Sequence, residues 1–267
     1  MSFDDRQDGS GEFQRSPTGP RVAPPRRPAG PPAAPPPRPT RSRRPLWSAV
    51  LFMLVASGIG IRAYRDLSRP EAWAYWRDQY FAPSMTSSPV ANADIDGEGR
   101  GRPALFIRGK IGAAAAGWFR DRLDEAHLAP GDTIVMSSPG GDLNQAMIIG
   151  EIIRSRGLDT AVGVVDGSGQ VRPSYCASAC VLVYAGGKSR YGIEGSKLGV
   201  HRFVTSVPGH DPVAETQRTT GVVLSYMTRM GVSSSVVEAM SETSDIRWLG
   251  VREAAAMKLV TEPARTP

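Results

Sequence analysis

The chain has 267 residues, 40% of them hydrophobic, and a formal net charge of +6. That length allows one sizeable core plus accessory segments. Residues 1–100 hold 14 basic and 10 acidic side chains and residues 101–267 hold 18 and 16, so the excess is too thinly spread to predict a nucleic-acid-binding face.

Residues 1–45 contain 12 of the 23 prolines, interleaved with Arg, Gly and Ser. Proline lacks the N–H that helix and sheet ladders need, and so little apolar surface cannot offset the entropy of ordering, so a disordered tail is expected. Leu46–Ile61 is then an uncharged apolar run of 16 residues between Arg44 and Arg62. It falls short of the ~20 residues a spanning helix wants. Trp47 and Tyr64 suit the two interfaces, however, and the flanking arginines can snorkel, so residues 46–64 are expected to form an uncleaved membrane anchor. A cleaved signal peptide would need an n-region of about 45 residues, and no clean small-x-small cleavage site follows. Six arginines lie in residues 26–44, while Arg62, Arg65, Arg69 and Arg77 are partly offset by Asp66, Glu71 and Asp78. The positive-inside rule therefore puts the N-terminus in the cytoplasm and the C-terminal domain across the membrane, in the periplasm of a bacterium.

Residues 65–103 read as a juxtamembrane segment and linker. Residues 65–82 carry Trp73, Tyr75, Trp76, Tyr80 and Phe81, which suits an amphipathic helix on the membrane surface or packing beside it. Residues 82–103, rich in Ser, Pro, Asn, Asp and Gly, read as linker. The domain is expected over 104–262, with a tail at 263–267. Strands are predicted at 104–108, 133–136, 160–165 and 197–200, and helices at 113–126, 144–156, 213–230, 233–241 and 251–257. Met147, Ile148 and Ile152 recur at helical spacing, for example. Strands alternating with helices give an α/β fold with a parallel sheet and crossover helices.

The stretch Tyr175-Cys-Ala-Ser-Ala-Cys180 puts Ser178 among small residues, between a strand and a short apolar helix. A serine hydroxyl is a nucleophile only where a base takes its proton and donors await the oxyanion. A strand-to-helix turn supplies N–H groups that have no intrahelical partner. The plainer role for such a serine is a helix N-cap. Cys176 and Cys180 read either as small buried apolar residues or, if Cys176 ends the strand, as a disulfide across the turn. With no histidine or further cysteine at a zinc-like spacing, no metal site is expected, and nothing implies an organic cofactor.

Upstream stands Ser137-Ser-Pro-Gly-Gly141 and downstream Leu198-Gly-Val-His-Arg202 and Ser244-Asp-Ile-Arg-Trp-Leu249. In this order, over residues 104–262, these motifs resemble those of the Clp protease proteolytic subunit and its relatives in the crotonase-like superfamily. The resemblance implies a ClpP/crotonase-like spiral of parallel strands with crossover helices, and serine peptidase chemistry on a peptide or protein substrate. It implies Ser178 as nucleophile, His201 as general base and Asp245 as orienting carboxylate. Gly141 and Ala179 would be oxyanion donors, with Gly140 lending the sharp turn. Relatives form rings or trimers, so self-association is expected from the resemblance. No ATPase-docking segment is recognisable, so no unfoldase partner is expected.

The chain departs from the family at Asp245, one residue farther from the following helix, and at Lys258, which replaces a usual glycine. The loop at 165–174 is longer and stands directly before the nucleophile turn. Three rival readings follow. One is a lysine dyad through Lys188 or Lys197, as in membrane-bound signal-peptide peptidases of the same superfamily. Another is a non-catalytic module of the same fold that binds peptides or partner proteins in the envelope. The last is acyl-CoA binding in the same cradle.

Overall fold

The computed structural model describes residues 44–99, 101–203 and 211–264. The expected disordered tail, apart from residues 44 and 45, lies outside the described residues, as does His210. Helix α1 (Arg44–Leu67) covers the apolar run and continues past it, and its 21 residues from Trp47 to Leu67 are long and apolar enough to cross a membrane. Its side chains are exposed throughout that span. Helix α2 (Pro70–Trp76) runs into a π-helical turn, Arg77–Phe81.

Residues 82–103 depart from the linker expectation. Within them lies β1 (Met85–Ala93), which pairs antiparallel with β2 (Arg102–Gly109) from Met85 opposite Gly109 to Ala93 opposite Arg102. Only two of the nine β1 residues, Met85 and Ala93, are buried, so composition alone reads the strand as loop. Pro89 is tolerated because β1 is an edge strand, where a missing N–H breaks no central ladder.

The chain then alternates. Helix α3 (Ala115–Ala126) precedes β3 (Thr133–Ser137), α4 (Leu143–Ser155) and β4 (Asp159–Val162). A small hairpin of β5 (Val164–Val165) and β6 (Val171–Arg172) leads to β7 (Tyr175–Ala177) and α5 (Cys180–Ala185). Next come β8 (Arg190–Ile193), β9 (Lys197–Val200), α6 (Pro212–Arg229), α7 (Ser235–Glu242), β10 (Arg247–Leu249), α8 (Val251–Ala256) and β11 (Glu262–Ala264). The expected tail at 263–267 thus begins with the end of a strand.

Six strands form the main sheet in the order β1-β2-β3-β4-β8-β11, parallel from β2 onward. A second sheet, β10-β9-β7, stands apart from it. The mixed α/β architecture with a mostly parallel sheet is as expected. β3 and β4 are buried on both faces except at Ser137, as crossover helices require.

All six residues of α5 are buried, so it has no polar face and packs against α4 on one side and sheet elements on another. The Tyr226 hydroxyl on α6 donates to the Leu182 carbonyl of α5 at 2.8 Å, and burial pushes that phenol's pKa up. Arg190 is buried and donates to the carbonyls of Gly187, Met230, Lys258 and Leu259. One guanidinium thereby ties the C-terminal segment to β8.

Candidate active site

The second sheet brings Ser178 and His201 together. β7 and β9 run parallel, with Tyr175 opposite Lys197, Cys176 opposite Leu198 and Ala177 opposite Gly199. Ser178 and His201 each follow the last residue of one of these strands, so neighbouring C-terminal strand ends present the two side chains to one place. His201 Nε2 lies 2.8 Å from Ser178 Oγ. Nδ1 lies 2.8 Å from the carbonyl oxygen of Arg202. A carbonyl can only accept, so the proton sits on Nδ1 and leaves Nε2 free to accept from the serine hydroxyl. That is the tautomer a general base needs.

Ser178 has φ 56°, in the left-handed region that non-glycine residues rarely occupy. Its N–H donates to Gly199 O at 2.8 Å, and Cys176 and Cys180 form a disulfide across it with Cα atoms 5.3 Å apart. Both cysteines are buried and they are bridged, with Cys176 inside β7 and only Cys180 helical. Nor is Ser178 a helix cap: no side chain caps α5, and the hydroxyl bonds to the imidazole.

Beside this turn runs Ser138–Gly141. The Ala177 N–H donates to Ser138 O at 3.0 Å and the Ser138 N–H to Tyr175 O at 3.2 Å, lacing the two turns together. Gly140, at φ 94°, passes so close that an added Cβ would stand 2.5 Å from Ala177 O and 2.8 Å from Ser178 Cβ. A Cβ on Gly141 would run into the Ile111 backbone. Ile111 clamps this turn, donating its N–H to Gly140 O and accepting from the Asp142 N–H, both at 2.8 Å. Asp142 caps α4 through Gln145 N–H, which explains its place after the glycines. Among the described residues, the N–H groups of Gly141 and Ala179 donate to no protein acceptor.

Asp245 is brought near but not into contact. Its side chain is exposed, and its backbone exchanges hydrogen bonds with the Thr243 hydroxyl. β10 pairs antiparallel with β9 as far as Arg247 opposite Val200, and past that pair the Arg202 N–H donates to Thr243 O at 2.9 Å. The Nδ1 position expected for its carboxylate is taken by the Arg202 carbonyl. Lys188 and Lys197 make no hydrogen bond to Ser178 among the described residues.

The long loop forms the β5–β6 hairpin. Asp166 accepts from Ser168, Gln170 and Arg172, and these bonds hold its carboxyl well below the usual range. The hairpin tip is pinned to Asp94, whose N–H donates to Gly169 O. A groove of about 530 Å³ lies between α4 and α6 against Met147, Val222 and Tyr226, and neither Ser178 nor His201 lines it. No group of three or more metal-ligating side chains occurs among the described residues.

Comparison with family profiles and with curated proteins returned no match. Among solved structures the chain is similar to proteins of the ClpP/crotonase fold at low identity. An asparagine-to-aspartate variant of ClpP1 from Listeria monocytogenes is 19% identical with a TM-score of 0.48, covering 61% of this chain and 91% of that one. Unmutated ClpP1 from the same organism gives 19%, a TM-score of 0.47, and coverage of 61% and 92%. A serine-to-alanine variant of the 1510-N membrane-bound stomatin-specific protease gives 19%, 0.48, and coverage of 60% and 77%.

Proposed function

We propose that this chain is a membrane-anchored serine peptidase working through Ser178 and His201. The observation that carries the reading is the 2.8 Å Oγ–Nε2 contact in the base-competent tautomer. Ser178 Oγ attacks a peptide carbonyl carbon while Nε2 takes the hydroxyl proton. The carbonyl oxygen gains the negative charge and receives the N–H groups of Gly141 and Ala179. The imidazolium then gives its proton to the leaving amine, and water activated by the same nitrogen hydrolyses the acyl-enzyme. The Arg202 carbonyl holds the ring, a weaker partner for an imidazolium than a carboxylate. Exposed Tyr175, Ile246 and Trp248 flank β7 and β9 and offer an apolar wall to a substrate side chain. α1 serves as the anchor, and the flanking arginines put the domain across the membrane, in an oxidising compartment where a Cys176–Cys180 bridge persists.

The test is labelling of the detergent-solubilised full chain by a fluorophosphonate, with hydrolysis of a casein-derived peptide pool as the second readout. Both are expected in the wild type and absent in Ser178→Ala. A folded, oxidised wild type showing neither rejects the peptidase reading. The neutral partner on Nδ1 favours one rival, a binding module that keeps the fold without turnover. It predicts that Ser178→Ala retains full function in cells.

A further inference from the structure

The segment after α1 carries five aromatic side chains within nine residues, and all five are exposed: Trp73 by 61%, Tyr75 by 42%, Trp76 by 41%, Tyr80 by 65% and Phe81 by 73%. They are grouped, not scattered. Trp76 stacks on Tyr80 at 5.3 Å, Tyr75 meets Trp76 edge-on at 6.0 Å, and Trp73 and Phe81 are 6.3 Å apart. Exposed aromatic clusters of this kind on a soluble surface mark an interaction site.

The opposite side of the same turn is fastened to the domain. Asp78 is buried, accepting from Ser84 N–H and Ala114 N–H at 2.9 Å each, and it fills the space a side chain at Gly112 would need. Ala114 follows by three residues the Ile111 whose backbone clamps Gly140 and Asp142. The patch therefore stands on a braced support that continues toward the oxyanion turn.

We propose that this aromatic face rests in the headgroup layer of the bilayer that α1 enters, docking the domain on the lipid surface. The proposal rests on the reading of α1 as an anchor. Only Ser68 and Arg69 separate Leu67, the end of α1, from Pro70, the start of α2. Leu67 and Pro70 are three residue steps apart, ~10 Å when fully extended, so α2 begins close to the interface if α1 ends there. Trp and Tyr favour that layer, with an apolar ring and a polar edge that seeks water or phosphate. Arg65 and Arg69 border the same junction and can pair with lipid phosphates, as can exposed Arg77. The domain is thereby held at one height and tilt, with its peptidase turn offered to chain segments near the membrane.

The experiment uses the full chain in nanodiscs containing lipids brominated near the headgroup end of the acyl chains. Four variants each retain one tryptophan, Trp47, Trp73, Trp76 or Trp248, with the others changed to Phe. Trp73 and Trp76 are expected to lose emission to a degree comparable with Trp47, while Trp248 is unaffected. Quenching of Trp47 with Trp73 and Trp76 as bright as Trp248 overturns the docking proposal and leaves the anchor standing. Absence of quenching at Trp47 removes the anchor and the proposal together. Trp73 and Trp76 that escape bromine yet are shielded from aqueous acrylamide are covered by protein, which also overturns it.

Discussion

The two halves of the candidate site are built differently. Ser178, with Gly140, Gly141 and Ala179, sits where β7 and β3 end side by side, stitched by backbone hydrogen bonds and a disulfide. His201 and Asp245 sit where β9 ends and just before β10 begins, with Arg202 and Asp245 exposed to solvent. The proposed nucleophile and oxyanion donors are thus held by the core, whereas the proposed base is positioned by its own neighbour's carbonyl. Tight construction is needed where donors must meet a developing charge, because reorientation during reaction forfeits their stabilisation. A base needs only reach and the right tautomer.

The strongest attack on the rigid half is Gly140→Ala. The added methyl would collide with the Ala177 carbonyl and Ser178 Cβ at a left-handed φ, so we expect about 3 kcal/mol of lost stability by urea denaturation and no measurable labelling. Next comes removal of the brace by Cys176→Ala with Cys180→Ala. A closed loop this short is worth about 2 kcal/mol, and the thermal midpoint should fall by roughly 4–8 °C. Away from both halves, Lys258 holds φ 55° on the surface. Lys258→Gly should raise stability by about 1 kcal/mol in the same denaturation, sharpening the contrast with Ser178, whose similar backbone is braced by the disulfide. The smallest effect belongs to the loose half. Asp245→Asn should change the rate of probe labelling less than about threefold, against the ~10⁴-fold drop in kcat seen where a carboxylate holds the imidazole. A drop of that larger size would mean that Asp245 swings onto His201 in solution.

Much of this was legible in the residues. Apolar runs such as 133–136 and helical periodicity over 144–156 lie within one residue of β3 and α4, since burial on both faces and on one face leaves different patterns. β1 was hidden because its outer face is polar and its register is supplied by β2. β8 was hidden because it opens on buried Arg190, whose charge is satisfied by four carbonyls that no local pattern announces. Within the site, Ser178 and His201 were marked by motif. The partner on Nδ1 was not, because a backbone carbonyl has no residue-type signature, and the offset of Asp245 depends on how β10 pairs with β9.

The left-handed backbone at Ser178 carries a further consequence for which amino acids the position tolerates. Threonine bears a comparable hydroxyl, but branching at Cβ makes φ near 56° a severe conformational outlier. Evolutionary exchange between the two alcohols, easy on an ordinary strand, is closed at this elbow. Cysteine, unbranched like serine, is the sterically acceptable substitute, and it would place a free thiol between the two halves of an existing disulfide.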